Sequence, residues 1–135
     1  MNGSALQASQ QTVLVVDDSE LSREILRKKL EFWGVTDIRM AQDGRDGLAV
    51  LDALARTPDF LICDIFMPDM DGIEFIGALA KRGFKGALIL ITGGDHAMLE
   101  VAQDIATMKG LRMLGAVTKP AHQKQLGQLM GFSAV

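Results

Sequence analysis

One cysteine, three prolines, no tyrosine and no excess of basic residues describe this 135-residue sequence by what it withholds. A single thiol rules out an internal disulfide framework and any multi-cysteine zinc site. Cys63, set inside an apolar run, reads instead as a small buried residue in a reducing, cytoplasmic setting. Fourteen Lys and Arg are interspersed with 17 Asp and Glu for a net charge of −3, which leaves no basic footprint for nucleic acid or an anionic membrane surface. No segment approaches the ~20 apolar residues that a membrane helix requires. The first twelve residues also lack the basic and apolar blocks of a secretion signal, so a soluble protein is expected.

What is present suits one domain, large enough to bury roughly two-thirds of the surface its unfolded chain exposes. Residues 1–11 are small and polar and read as a flexible lead-in, residues 12–131 as the domain, and 132–135 as a tail. The strongest element is Phe60-Leu61-Ile62-Cys63-Asp64, an apolar run bounded by Pro58 and Pro68. Such a run predicts a strand buried on both faces, at the centre of a parallel sheet. Similar runs predict strands over 12–16, 36–40, 86–91 and 111–117.

Helices are expected between the strands. The first follows Asp17-Asp18, capped by Ser19 or Asp18, with Leu21, Ile25, Leu26, Leu30 and Trp33 as its apolar face and Gly34 as its stop. The second spans about 45–55, with Leu48, Leu51, Leu54 and Ala55 inward. The third follows a variant capping box made by Asp71 and Glu74 and stops at Gly83. The fourth is capped by Asp95 and carries Met98, Val101, Ala102, Ile105 and Met108 on one face; the fifth, over 123–130, is weakened by Gly127. Strict alternation of strand and helix gives an α/β fold, a doubly wound five-stranded parallel sheet of flavodoxin-like order 2-1-3-4-5 with helices on both faces.

In an open parallel sheet, ligands bind outside the carboxyl ends of the strands. Those ends carry Asp17 and Asp18 after the first strand, Asp64 after the third, Thr92 after the fourth and Lys119 after the fifth. Three carboxylates in one crevice repel one another, and a divalent cation relieves that repulsion. Oxygen-only donors suit Mg²⁺, or Mn²⁺, better than zinc. Lys119 and Thr92 supply an ammonium and a hydroxyl for the peripheral oxygens of a phosphoryl group, with backbone N–H groups around Phe66 and Gly93 to complete a cage. Asp64 is then the natural nucleophile, because a carboxylate can carry a phosphoryl group as an acyl phosphate. Taken singly, each of these residues has a plainer reading as a cap, a surface lysine or a strand-end threonine; their convergence after four strands changes it. His96 and His122 read as exposed residues at helix starts, and Met98 and Met108 as core filler.

The acidic pair, Asp64 with Met67-Pro68-Asp69-Met70-Asp71-Gly72, Thr92-Gly93 and Lys119-Pro120 occur in the order and spacing of a known family. Over residues 12–131 the chain resembles the receiver domain of two-component response regulators. The resemblance implies Asp64 as phosphoacceptor, Asp18 as direct metal ligand, Asp17 as its supporting acid and the Phe66 carbonyl as a further ligand. It also implies Thr92 as switch hydroxyl, Lys119 as phosphate partner and a cis bond before Pro120. The partners implied are a histidine kinase or phosphotransfer protein, an effector domain or protein, and a second copy of the chain through the last two helices. Nucleic acid and membrane are not expected partners. One position departs from the pattern: where the family usually has Tyr or Phe, three residues before the lysine, this chain has Ala116. The segment from Leu88 to Pro120 also looks faintly like receivers joined to cyclic-di-GMP phosphodiesterase domains.

Three functions compete. A phosphorylation-controlled signalling module leads, a phosphoacceptor and not a multiple-turnover enzyme. A degenerate receiver serving as a dimerisation scaffold draws on Ala116. An aspartyl-phosphate phosphohydrolase would need a second acid two residues after the nucleophile, where this sequence has Phe66.

Overall fold

The computed structural model describes residues 7–68 and 70–132. Five strands, β1 (Thr12–Val16), β2 (Asp37–Ala41), β3 (Phe60–Asp64), β4 (Ala87–Thr92) and β5 (Arg112–Thr118), pair in parallel in the order β2-β1-β3-β4-β5. They alternate with α1 (Glu20–Phe32), α2 (Gly44–Ala53), α3 (Gly72–Lys81), α4 (His96–Met108) and α5 (Gln123–Met130). This is the expected doubly wound sheet. Every residue of β3 and β4 is buried, as continuous apolar runs demand when both faces are covered. The strand faces divide the core in two. Val13, Val15, Ile62 and Ile89 pack with α1 and α5, and Leu14, Leu61, Leu88 and Leu90 with α3 and α4.

Capping follows the sequence closely. Ser19, Asp71 and Asp95 each accept backbone N–H bonds at the start of α1, α3 and α4, and Asp43 does the same for α2. Beyond α1 and its C-cap Trp33, Gly34 sits at φ +97°, a left-handed stop that favours glycine. α2 is shorter than expected: Leu54 is extended and Ala55 is exposed.

Helical faces differ more. In α1 only Leu26 and Leu30 of the expected apolar face are fully buried, each worth about 1.5–3 kcal/mol on burial; Leu21 and Ile25 are exposed. In α4 the buried set is Leu99, Ala102 and Ala106, so Met98, Val101 and Met108 point outward. Met98 and Met108 are therefore surface residues and not core filler. Gly127 is no mere weak point of α5: a Cβ there would lie 2.3 Å from Trp33 Cζ2, so its missing side chain seats the indole of α1.

The core extends past both expected limits of the domain. Within the lead-in, Ala8–Gln10 form a 3-10 turn whose Ala8 is buried. In the tail, Phe132 is buried edge-on to Phe60, with ring centroids 5.5 Å apart. The rest of the predicted lead-in (1–6), the rest of the tail (133–135) and Asp69 lie outside the described residues.

Candidate functional site

Because all five strands are parallel, their carboxyl ends open on one edge of the sheet, and four of them bring reactive groups there. β1 runs into Asp17 and Asp18, β3 ends on Asp64, β4 ends on Thr92, and β5 is followed by Lys119. Edge strand β2 adds nothing to the group. One carboxylate oxygen from each of Asp17, Asp18 and Asp64 lies within 4.8 Å of the others. Asp17 and Asp64 are buried while Asp18 is exposed, so the cluster is reached from the Asp18 side.

Lys119 supplies the countercharge. Its Nζ donates to Asp64 Oδ2 at 2.7 Å and lies 3.0 Å from Asp17 Oδ2. The Phe66 N–H donates to Asp64 Oδ1 at 3.0 Å, so each oxygen of Asp64 has one donor. The loop beyond is drawn in tightly: Gly72 N–H donates to the Ile65 carbonyl, and a Cβ on Gly72 would stand 2.6 Å from Ile65 Cα. Only glycine allows that approach at the start of α3.

Burial pushes the Asp64 carboxyl above the usual carboxylate range, with the charge of Asp17 adding to it, against the bonds from Lys119 and Phe66 that favour the ionised form. On Lys119 burial works against the ammonium, and the bonds to Asp64 and Asp17 outweigh it, so the lysine is held above its ordinary value. Lys119 stays charged and Asp64 is a carboxylate left short of stabilisation. An added cation would relieve that shortage. The donors offered are all oxygen, two buried and one open to water, the set expected of a hard cation such as Mg²⁺ and not of zinc.

Thr92 is fully buried, and its hydroxyl oxygen accepts the Gly94 N–H at 3.2 Å, which leaves its proton for another acceptor. The Lys119 N–H donates to the Thr92 carbonyl at 2.7 Å and ties the ends of β4 and β5 together. Ala116, half-buried, stands beside Leu90 of β4, and Lys119-Pro120 is cis as the resemblance implied. An apolar cavity of about 330 Å³ flanks Lys119, lined by Leu21, Ile25, Leu26, Ile91, Pro120 and Ala121. His96 and His122 are exposed at the starts of α4 and α5 and stand apart from the cluster.

Two contributors escaped the sequence reading. Ser22 Oγ–H donates to Asp17 Oδ2 at 2.6 Å, and Arg23 Nη1 donates to the Asp17 carbonyl at 2.7 Å. The available signal was their position in the first turn of a helix capped by Ser19, where side chains slant back toward the helix start.

The model of the response regulator receiver domain matches residues 13–130. Over 90 residues the chain is 36% identical to the response regulator MprA of Mycolicibacterium vanbaalenii, covering 67% of this chain and 38% of that protein. Over 121 residues it is 31% identical to the positive alginate biosynthesis regulatory protein of Pseudomonas aeruginosa, covering 87% of this chain and 45% of that protein. The chain thus spans less than half the length of these curated relatives. The crystal structure of a response regulator from Colwellia psychrerythraea superposes with a TM-score of 0.74 at 33% identity, over 89% of this chain and 93% of that one.

Proposed function

The chain belongs to the response regulator receiver domain family, and from that premise we propose that Asp64 accepts a phosphoryl group and so switches the binding of a partner. The observation that carries this reading is the bond from Lys119 Nζ to Asp64 Oδ2, made inside a group of three carboxylates. In the transfer, a carboxylate oxygen of Asp64 bonds to phosphorus while the bond from phosphorus to the donor's imidazole nitrogen breaks. The electron pair leaves with the imidazole, which takes up a proton. Lys119 moves its charge from Asp64 to the phosphoryl oxygens, Thr92 turns its free proton toward them, and the backbone around Phe66 and Gly93 completes the cage.

Asp17, Asp18, Asp64 and the Phe66 carbonyl would hold Mg²⁺, or Mn²⁺. When bound, the cation supplies positive charge to the phosphoryl oxygens and lifts the mutual repulsion of the acids. The donor is a histidine kinase or phosphotransfer protein in the cytoplasm, and it approaches Asp64 from the exposed Asp18 side of the cluster. The chain is a phosphoacceptor and not a multiple-turnover enzyme. Its output runs to an effector domain or protein, or to a second copy through α4 and α5. With Ala116 in place of an aromatic side chain, that output travels through the Gly93-Gly94 loop, where glycine makes backbone movement inexpensive.

Replacing Asp64 by Asn should abolish Mg²⁺-dependent labelling by a small acyl-phosphate donor such as acetyl phosphate. Labelling that persists at the wild-type level overturns the assignment. Ala116 favours a second reading, a scaffold that no longer switches. An amide NMR spectrum unchanged by Mg²⁺ and beryllofluoride would select it.

A further inference from the structure

Asp17 is the most heavily committed carboxylate of the cluster. Its Oδ1 accepts the Ser19 N–H at 2.9 Å, and its Oδ2 accepts both the Ser22 hydroxyl at 2.6 Å and the Lys119 ammonium at 3.0 Å. Asp18, by contrast, is exposed and makes no hydrogen bond among the described residues. A carboxylate oxygen has two lone-pair sites, so Oδ2 of Asp17 is filled and Oδ1 keeps one open. The side chain is buried and cannot recruit water freely to replace a lost donor.

The donors on Oδ2 differ in permanence. Lys119 is shared with Asp64 and is the group that must turn to an arriving phosphoryl. Ser22 belongs to the first turn of α1, which Ser19 caps and Arg23 ties to the Asp17 carbonyl. Its hydroxyl makes no other hydrogen bond among the described residues. Removing a group that holds a metal ligand in place typically costs about 10–100-fold in affinity.

We propose that Ser22 is a positioning residue for the divalent cation: its hydroxyl fixes Asp17 in one orientation, with Oδ1 toward the cation, and still does so after Lys119 has turned away. This rests on the reading that Asp17, Asp18 and Asp64 hold such a cation. A residue without a donor at position 22 leaves Asp17 oriented by the Ser19 N–H and a lysine engaged elsewhere.

The test is a titration of the full chain with Mn²⁺, with free ion read by electron paramagnetic resonance and Mg²⁺ measured by competition, so no phosphorylation is needed. Ser22→Ala and Ser22→Val should each weaken binding about 10-fold. Ser22→Thr, with the shape of valine and the hydroxyl of serine, should restore most of the affinity. Thermal melts taken in parallel establish that each variant is folded at the titration temperature. The proposal is overturned if Ser22→Val binds as tightly as Ser22→Thr, or if Ser22→Ala matches the wild type. If Asp18→Asn abolishes binding while Ser22→Ala does not alter it, this inference alone falls. Should the wild-type chain bind no Mn²⁺, the cation reading falls and this inference with it.

Discussion

Helices α1 and α4 have the same length, 13 residues, and both flank the sheet edge that carries the site, yet they are held by different forces. α1 is tied down along its whole length. Ser22 and Arg23 bind Asp17 at its start, Lys29 donates to the Ala121 carbonyl, and Trp33 donates to the Gln123 carbonyl while its ring sits in the notch at Gly127. α4 makes no side-chain hydrogen bond or ion pair to another element among the described residues, and it docks through Leu99, Ala102 and Ala106, two of them alanines. Net contributions of about 0.5–1.5 kcal/mol per hydrogen bond add up on α1 and are missing on α4. The difference assigns tasks: α1 holds the acids still, and α4, entered directly from the Gly93-Gly94 loop, is the element that can shift at low cost.

The largest effect should come from breaking the α1 clamp. Gly127→Ala puts a Cβ 2.3 Å from Trp33 Cζ2 and 2.4 Å from Cε2. Alanine in a helix interior gains up to about 1 kcal/mol over glycine, while forcing a half-buried ring out of its seat costs about 1–3 kcal/mol and also risks the bond to Gln123. The clash should win. Urea unfolding followed through Trp33, the only tryptophan, should show a net loss of stability and a red-shifted native emission. A stabilised variant would mean that the indole is not locked and that α1 is no better held than α4.

The comparison also explains what could be read in advance. Strand order, the five strand-end residues and the caps and stops at Ser19, Gly34, Asp71, Gly83 and Asp95 were legible, because a fully buried strand is a continuous apolar run and a cap is a local event. Helix faces were less legible, since spacing alone does not say which arc of apolar residues faces inward. In α1 the read face was too wide and took in the exposed Leu21 and Ile25; in α4 it was rotated, taking Met98 and Met108 for Leu99 and Ala106. Gly127 and Ser22 act on partners far away or around a helix turn, at Trp33 and Asp17, and only the fold pairs them. Ala8 and Phe132 entered the core from stretches whose small or terminal residues gave no periodicity.

A second, smaller effect sharpens the view that the α1 side carries an electrostatic load. Asp64 titrates above its ordinary value mainly because it is buried, so its protonated form favours the fold. The stabilisation is present below the unfolded-state value and is lost as pH rises through the higher folded-state value. Without divalent cation, the wild-type chain therefore loses this contribution progressively as pH rises. Asp64→Asn should therefore be the more stable protein at pH 7, and its advantage should shrink as pH falls toward the ordinary carboxylate range. Melting temperatures in a pH series with chelator decide this. A variant less stable than wild type at pH 7 would show that the Lys119 bond outweighs burial and that the α1 side carries no such load.

The smallest effect is expected on α4. Met108 is 84% exposed at the last position of the helix and Met98 is 36% exposed near its first turn, on the side away from Leu99 and Ala106. Met108→Lys removes little buried area and places a cation beside the helix C-terminus, where it meets the partial negative charge of the helix dipole. Both terms are small and the second is favourable, so stability should stay within about 0.5 kcal/mol of wild type. Denaturant midpoints at equal slope measure it. A loss well beyond that would mean that Met108 packs against something and that α4 is anchored by its outer face, which would remove the contrast with α1. If stability is unchanged, the apolar outer stripe of α4 is not maintained by the fold of the monomer, and the helix is held from its inner face, by Leu99, Ala102 and Ala106.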